Sequence, residues 1–193
     1  MFKFHPPLIE GRFISRYKRF FADIDLCDGG SITAHCANTG KMTGLLMPNA
    51  PVWVRQQLPD RKLQYSWELI KTDAGDACVN TMRANHLVLS HLDHPIFRDL
   101  RLVRKEPRVG NHRFDFEFLA SGNSVYVEVK SVTFCHDSKG AFPDAPSNRA
   151  VAHLNLLTSL ATQGIRTLVL FVAMHTGIRV IRPATEIDPR FSA

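Results

Sequence analysis

The sequence predicts an α+β chain in two parts, a five-stranded β-barrel over residues 1–83 and an α/β sheet domain over residues 84–193. Three observations predict it. The first half holds short runs rich in β-branched and aromatic residues, separated by glycine turns and free of helical periodicity. The second half alternates helix-period segments with strand-period ones. At 193 residues and 45% hydrophobic composition, the chain can bury a core for one large or two small domains.

In the first half, "RYKRFFADIDL" (16–26) runs into the turn "CDGG" and "SITAHCA" (31–37) follows. Asp-Gly-Gly between two β-rich runs is a hairpin pattern. The glycine loop "NTGKMTG" (38–44) leads to "PVWVRQQ" (51–57), and "LQYSWELIKT" (63–72) and "DACVN" (76–80) flank the turn "DAGD". Strands carrying basic and aromatic residues favour an OB-type barrel, a common nucleic-acid-binding shape. Arg12, Arg16, Lys18 and Arg19 interleave with Phe13, Tyr17, Phe20 and Phe21, a mixture that offers phosphate contacts and stacking platforms. The alternative is that the aromatics fill the barrel and the charges coat it. Asn38, Lys41 and the backbone amides of the 38–44 loop are further phosphate candidates, although the loop lacks the spacing of a P-loop.

In the second half, "ANHLVLSHLDHPIF" (84–97) predicts a helix that stops near Pro95, and "LRLVRKE" (100–106) a strand. Ser147 or Asn148 caps a predicted helix running to Gln163, with Val151, Leu154, Leu157 and Ala161 on one stripe and Gly164 as its stop. The apolar run "IRTLVLFVAM" (165–174) reads as a buried central strand, and "IRVIR" (178–182) as a last one.

The hairpin "RFDFEFLASGNSVYVEVKSV" (113–132) carries the chemistry. Alternation puts Phe114, Phe116 and Phe118 on one face and Arg113, Asp115 and Glu117 on the other; Val125, Val127 and Val129 likewise oppose Tyr126, Glu128 and Lys130. A turn centred on Ser121-Gly122 sets Asp115 opposite Glu128. One centred on Gly122-Asn123 pairs Asp115 with Lys130 and Glu117 with Glu128. Facing like charges about 4.5–5.5 Å apart at Cβ are destabilising. Either register therefore invites a divalent cation, and hard carboxylate oxygens suit Mg²⁺. The competing reading is an exposed polar strand face on which Arg113 and Lys130 neutralise the acids.

Net charge is +6, with 11 Lys/Arg against 8 Asp/Glu in residues 1–83 and 13 against 10 in residues 84–193. This distributed excess suits a phosphate-rich partner. No apolar run approaches the length of a membrane span, and "MFKFHPPLIEGR" lacks the layout of a signal peptide. Cys27, Cys36, Cys78 and Cys135 show no CxxC pair and read as free thiols, so a cytoplasmic protein is expected. His86, His91 and His94 have no cysteine nearby and read as surface or capping residues rather than zinc ligands.

An Asp followed 13 residues later by E-x-K, on two strands before a helix, resembles the PD-(D/E)XK nuclease superfamily. The segments "YKRF", "CANTGKMTG", "WELI", "VNTMRAN", "RFDF", "VEVKSVT", "FPDA", Arg149 with "HL", and "IDPRF" run through nearly the whole chain. Together they resemble the sugar fermentation stimulation protein A (SfsA) family. The resemblance implies an OB-like barrel joined to a restriction-endonuclease-like α/β domain, and DNA binding with little sequence preference linked to the regulation of sugar (maltose) metabolism. It implies catalytic roles for Asp115, Glu128 and Lys130, with Asp115, Glu128 and Glu106 as ligands of Mg²⁺ or of Mn²⁺ in its place. It also implies that Asp144, Arg149 and His153 flank a phosphate site. Two departures stand out: Ala152 occupies a position where the family has lysine, and the chain reaches Ala193 soon after "IDPRF", where the family continues with a further strand and helix. Two activities are expected in this order: DNA binding, with Arg12, Arg16, Lys18, Arg19, Lys41, Arg113, Arg149 and His153 contacting nucleic acid, and Mg²⁺-dependent hydrolysis of phosphodiester bonds in DNA or RNA.

Overall fold

The computed structural model describes residues 3–192; Met1, Phe2 and Ala193 lie outside the described residues. In chain order the elements are β1 (Leu8–Tyr17), β2 (Phe21–Leu26), β3 (Ser31–His35), β4 (Pro51–Gln56), β5 (Tyr65–Thr72), β6 (Gly75–Cys78) and α1 (Met82–Ser90). A 3₁₀ turn (Pro95–Phe97) leads to β7 (Arg101–Lys105), β8 (Arg108–Val109), β9 (His112–Arg113), β10 (Phe116–Ala120), β11 (Asn123–Val132), β12 (Cys135–His136) and β13 (Lys139–Phe142). Then follow α2 (Asn148–Thr162), β14 (Arg166–Ala173), β15 (Val180–Pro183) and α3 (Pro189–Ser192). Among the described residues no helix is long and apolar enough to cross a membrane.

The first six strands form one sheet in the order β3-β2-β1-β4-β5-β6, and an added β3–β5 pairing closes β1, β2, β3, β5 and β4 into a ring. Closure removes the open edges of a small sheet. The OB-like five-stranded barrel is therefore present, with β6 lying outside the ring. Its first strand differs from the expectation. Residues 16–26 are not one strand but the end of β1 and all of β2, folded back through a turn in which Lys18 (φ 47°) and Arg19 (φ 63°) are left-handed. No glycine, asparagine or aspartate marks that turn, so the pattern hid it. Inside the barrel, Phe13 stacks on Trp67 at 5.0 Å among Ile24, Val52, Val54 and Ile70. Of the interleaved aromatics, Phe13 fills the core while Tyr17 and Phe20 stay exposed.

Gly11 lies where β1 crosses β2 too closely for any side chain: a Cβ there would sit 2.6 Å from Ile24 Cγ2 and 2.7 Å from the Asp25 carbonyl. Gly11→Ala is expected to cost about 1–3 kcal/mol by overpacking. Urea unfolding monitored by Trp fluorescence checks this, and an unchanged midpoint would show that the strands can part freely.

The second sheet runs β14-β11-β10-β7, with β7, β10 and β11 antiparallel and β14 parallel to β11 across the α2 crossover. Both faces are covered. Phe116, Phe118, Val125 and Val127 pack with Ala84 and Val88 of α1. Phe114, Tyr126 and Val169 pack with Leu157 and Leu160 of α2. Phe114 therefore does not share a face with Phe116 and Phe118: regular strand geometry lapses at Phe114 and Asp115, between β9 and β10. Three further expectations are corrected. β14 is an edge strand, not a central one. α1 ends at Ser90, and Pro95 opens a separate 3₁₀ turn capped by His94. The buried stripe of α2 is Ala150, His153, Leu157 and Leu160, while Val151 and Leu154 are half-buried and Ala161 is exposed. Ser147 does cap α2, accepting from the Ala150 N–H at 3.1 Å.

Three ties join the halves. Cys78 N–H donates to the Met174 carbonyl at 2.8 Å, extending β6 toward the exit of β14. Met42 N–H, in the 38–44 loop, donates to Asp144 Oδ2 at 2.8 Å. Glu68 of β5, fully buried, receives Arg55, Asn80 and Arg83, the last of these from α1.

Candidate functional site

The β10–β11 register pairs Phe116 with Val127 through to Ala120 with Asn123, and Ser121 (φ 49°) and Gly122 (φ 84°) form the turn. Of the two registers open to the sequence, this is the one that directs Asp115 toward Glu128. The ladder stops one pair short. Asp115 instead bends so that its Oδ2 accepts the Val129 N–H at 2.7 Å and its Oδ1 accepts Asn85 Nδ2, from α1, also at 2.7 Å. The alternative cluster with Glu117 is absent, because Glu117 is taken by Arg104 at 2.6 Å and Ser124 at 2.7 Å.

Glu128 is 5% exposed. Its Oε1 accepts Lys130 Nζ at 2.6 Å and lies 2.6 Å from His153 Nδ1. Its Oε2 is buried with no partner. A buried carboxylate oxygen without a donor is costly unless a cation or water reaches it. Burial first, and then the charge of Glu128, hold the Asp115 pKa above the usual carboxylate range; the Val129 N–H, Asn85 and Lys130 oppose that rise without cancelling it. The two acids repel each other across a shared space.

That space is a cleft of about 810 Å³ between the barrel and the second sheet. Asp115, Glu128 and Lys130 line it from the sheet side, with Arg149 at the start of α2. Arg16, Arg19 and Lys41 line it from the barrel side. Arg16 is engaged in building the wall: its Nη2 donates to the carbonyls of Asn38 (2.7 Å), Arg19 (3.0 Å) and Gly40 (3.1 Å), while its Nε is buried without a partner.

The other expected site residues lie elsewhere. Glu106 does not join Asp115 and Glu128: its backbone is left-handed (φ 52°), and its carboxylate, 59% exposed, reaches Arg113 at 3.4 Å. Arg113 is thus also outside the cleft lining, as are Lys18 and Arg12, whose guanidinium lies 3.5 Å from the Asn49 carbonyl. His153 is 5% exposed, packed edge-on against His112 (5.5 Å) and Phe114 (6.1 Å), so it holds Glu128 rather than facing a nucleic acid. Asp144 ties the 38–44 loop to the second domain through Met42. Sequence reasoning missed Asn85, the partner of Asp115, and Ser131, whose Oγ is buried in the cleft wall without a partner. Asn85 belongs to the segment "VNTMRAN", but nothing local assigns it a role.

Among the described residues no three His, Cys, Asp or Glu side chains converge to cage a metal. The two carboxylates that do converge fit a hard divalent ion that keeps most of its waters, and the orphaned Glu128 Oε2 is the atom such an ion would satisfy.

Comparison with known proteins agrees with this architecture. The family model of the SfsA N-terminal OB domain matches residues 14–81, and that of the sugar fermentation stimulation protein RE domain matches residues 82–193. The sugar fermentation stimulation protein homolog of Hahella chejuensis is 43% identical over 192 residues, covering 95% of this chain and 80% of its own. That of Alteromonas mediterranea is 43% identical over 202 residues, covering 98% and 85%. The SfsA of Pyrococcus furiosus, solved in complex with Ca²⁺, shares the fold with a TM-score of 0.88 at 23% identity, over 97% of this chain and 81% of that one. On the two domain models and these relatives, the chain belongs to the sugar fermentation stimulation protein (SfsA) family.

Proposed function

We propose that the protein binds DNA by its phosphate backbone, with little regard to sequence, in the cleft between barrel and sheet. The observation that carries this reading is the cleft's two-sided cationic lining, Arg19 and Lys41 from one domain facing Lys130 and Arg149 from the other. Lys and Arg contacts to phosphates fix position without reading bases. Carboxylates in such a cleft would repel the ligand, so the reading includes a divalent cation between Asp115 and Glu128, which the Ca²⁺ complex of the Pyrococcus furiosus protein supports. In this reading the family's link to sugar (maltose) metabolism runs through occupancy of DNA. Fluorescence anisotropy on a labelled oligonucleotide between 50 and 200 mM salt tests it. Affinity is expected to fall steeply with salt, and Lys41→Ala or Arg149→Ala each to flatten the log–log slope by about 1. Binding that ignores salt would overturn the proposal.

A second reading, metal-dependent hydrolysis of phosphodiester bonds in DNA or RNA, is favoured by the unpartnered Glu128 Oε2 beside Lys130. Bound Mg²⁺ or Mn²⁺ would supply stabilisation of the charge that develops on the attacked phosphate. The chain's own groups do the rest. His153 and Lys130 pin Glu128 Oε1 and so aim Oε2 into the site. Asn85 and the Val129 N–H fix Asp115. Lys130, with N–H donors beyond the one spent on Glu128, orients an attacking water or holds a phosphate oxygen.

A further inference from the structure

We propose that the DNA bound by this protein is single-stranded, threaded past the cleft onto an aromatic platform at the β1–β2 turn. This rests on the DNA reading above and names the strand state.

The carboxylates set the first constraint. Glu128 is 5% exposed at the floor of a cleft of about 810 Å³. That is the volume of a pocket for a small organic ligand, roughly 300–1,000 Å³. A phosphate reaches Glu128 only by entering the recess. A single strand can thread there, whereas a duplex is a stiff rod whose phosphates stay on its outer surface. Inside the recess, Ser131 Oγ and Arg16 Nε are buried polar atoms without partners, so an entering strand finds hydrogen-bonding groups already desolvated.

The second constraint is what borders the cleft. Arg19 lines it, and the residues around Arg19 in the same turn are exposed aromatics: Tyr17 at 41% and Phe20 at 46% exposure. Tyr17 also stacks on Phe21 at 5.4 Å and 13°, which holds its ring flat at the barrel surface. Lys18, exposed in the same turn, adds positive charge. Flat exposed rings between cations are what unpaired bases stack on, and a duplex, with its bases already stacked, cannot use them. The left-handed backbone at Lys18 and Arg19 is what turns β1 sharply into β2 and sets these rings beside the cleft-lining arginine.

The test uses the full chain in EDTA, with anisotropy on a labelled 20-mer and on its duplex. The single strand is expected to bind at least about tenfold more tightly. Tyr17→Ala and Phe20→Ala are each expected to weaken single-strand binding at least about fivefold, leaving duplex binding and the thermal midpoint unchanged; Tyr17→Phe is expected to retain affinity. Equal affinity for the two forms, or variants that bind single strands normally while Lys41→Ala still weakens binding, would overturn the single-strand proposal and leave DNA binding intact. Absence of binding to either form would overturn both.

Discussion

Glu128→Gln and Asp115→Asn are each expected to abolish the response of the protein to divalent cations. In the wild type, Mg²⁺, Mn²⁺ or Ca²⁺ relieves the repulsion between two acids and satisfies Glu128 Oε2, so the thermal midpoint should rise with metal concentration. Binding to the native state alone contributes about 2.7 kcal/mol at 100 times Kd. In Glu128→Gln the amide oxygen can still accept Lys130 and His153, so the wall stands while the anionic ligand is lost. Asp115→Asn carries an additional signature in metal-free buffer. Burial and Glu128 raise the Asp115 pKa in the folded protein, so the native state holds that proton more tightly than the unfolded chain does. Stability is then highest at low pH as far as this group is concerned, and falls as pH climbs from the ordinary carboxylate range through the raised value. Asp115→Asn removes that fall, because Asn85 can turn its amide to match. The variant is therefore expected to be more stable than the wild type at neutral pH without metal and less stable with it. A crossing of this kind, seen by differential scanning fluorimetry with and without Mn²⁺, identifies the cation site; a metal-induced rise retained in both variants would move it elsewhere. If the protein cleaves nucleic acid, both variants lose that activity, and Lys130→Ala loses it while keeping the metal response.

Glu68→Gln is expected to produce the largest loss of stability. Glu68 is 0% exposed and meets Arg55 at 3.0 Å, Asn80 at 3.0 Å and Arg83 through two bonds of 2.9 Å. Arg83 stands in the first turn of α1, with its guanidinium also 4.9 Å from the Phe4 ring centroid. Neutralising the carboxylate leaves two largely buried guanidinium groups facing each other without an anion. Breaking a buried pair in this way costs about 3–5 kcal/mol. For a chain of this length that is roughly a 6–20 °C fall in thermal midpoint. The damage should spread to the cleft, because Glu68 anchors the helix that carries Asn85 to Asp115. The cation-induced stabilisation is thus expected to weaken in Glu68→Gln as well. A fall of under about 1 kcal/mol in urea titrations would mean that solvent already screens the network.

The local features of the chain were legible from its residues. Alternation in residues 116–120 and 123–132, the Ser121-Gly122 turn and the Ser147 cap depend on preferences that act over two to four positions, and each is where its pattern places it. Asp115, Glu128 and Lys130 were accessible for the same reason, since a period of two and a tight turn bring them together without help from the rest of the chain. The strand break at Asp115, the glycine-free turn at Lys18 and Arg19, and the edge position of β14 follow from which distant segments pack against them. So do the withdrawal of Glu106 toward Arg113, the burial of His153 behind Glu128, and the cleft itself, which exists because Asp144 grips a loop 102 residues earlier and Glu68 grips the start of α1. Side-chain period and turn propensity are properties of neighbours along the backbone. Closing a barrel, choosing an edge strand or facing one domain with another is decided by burial and charge pairing between parts of the chain that meet only once it has folded.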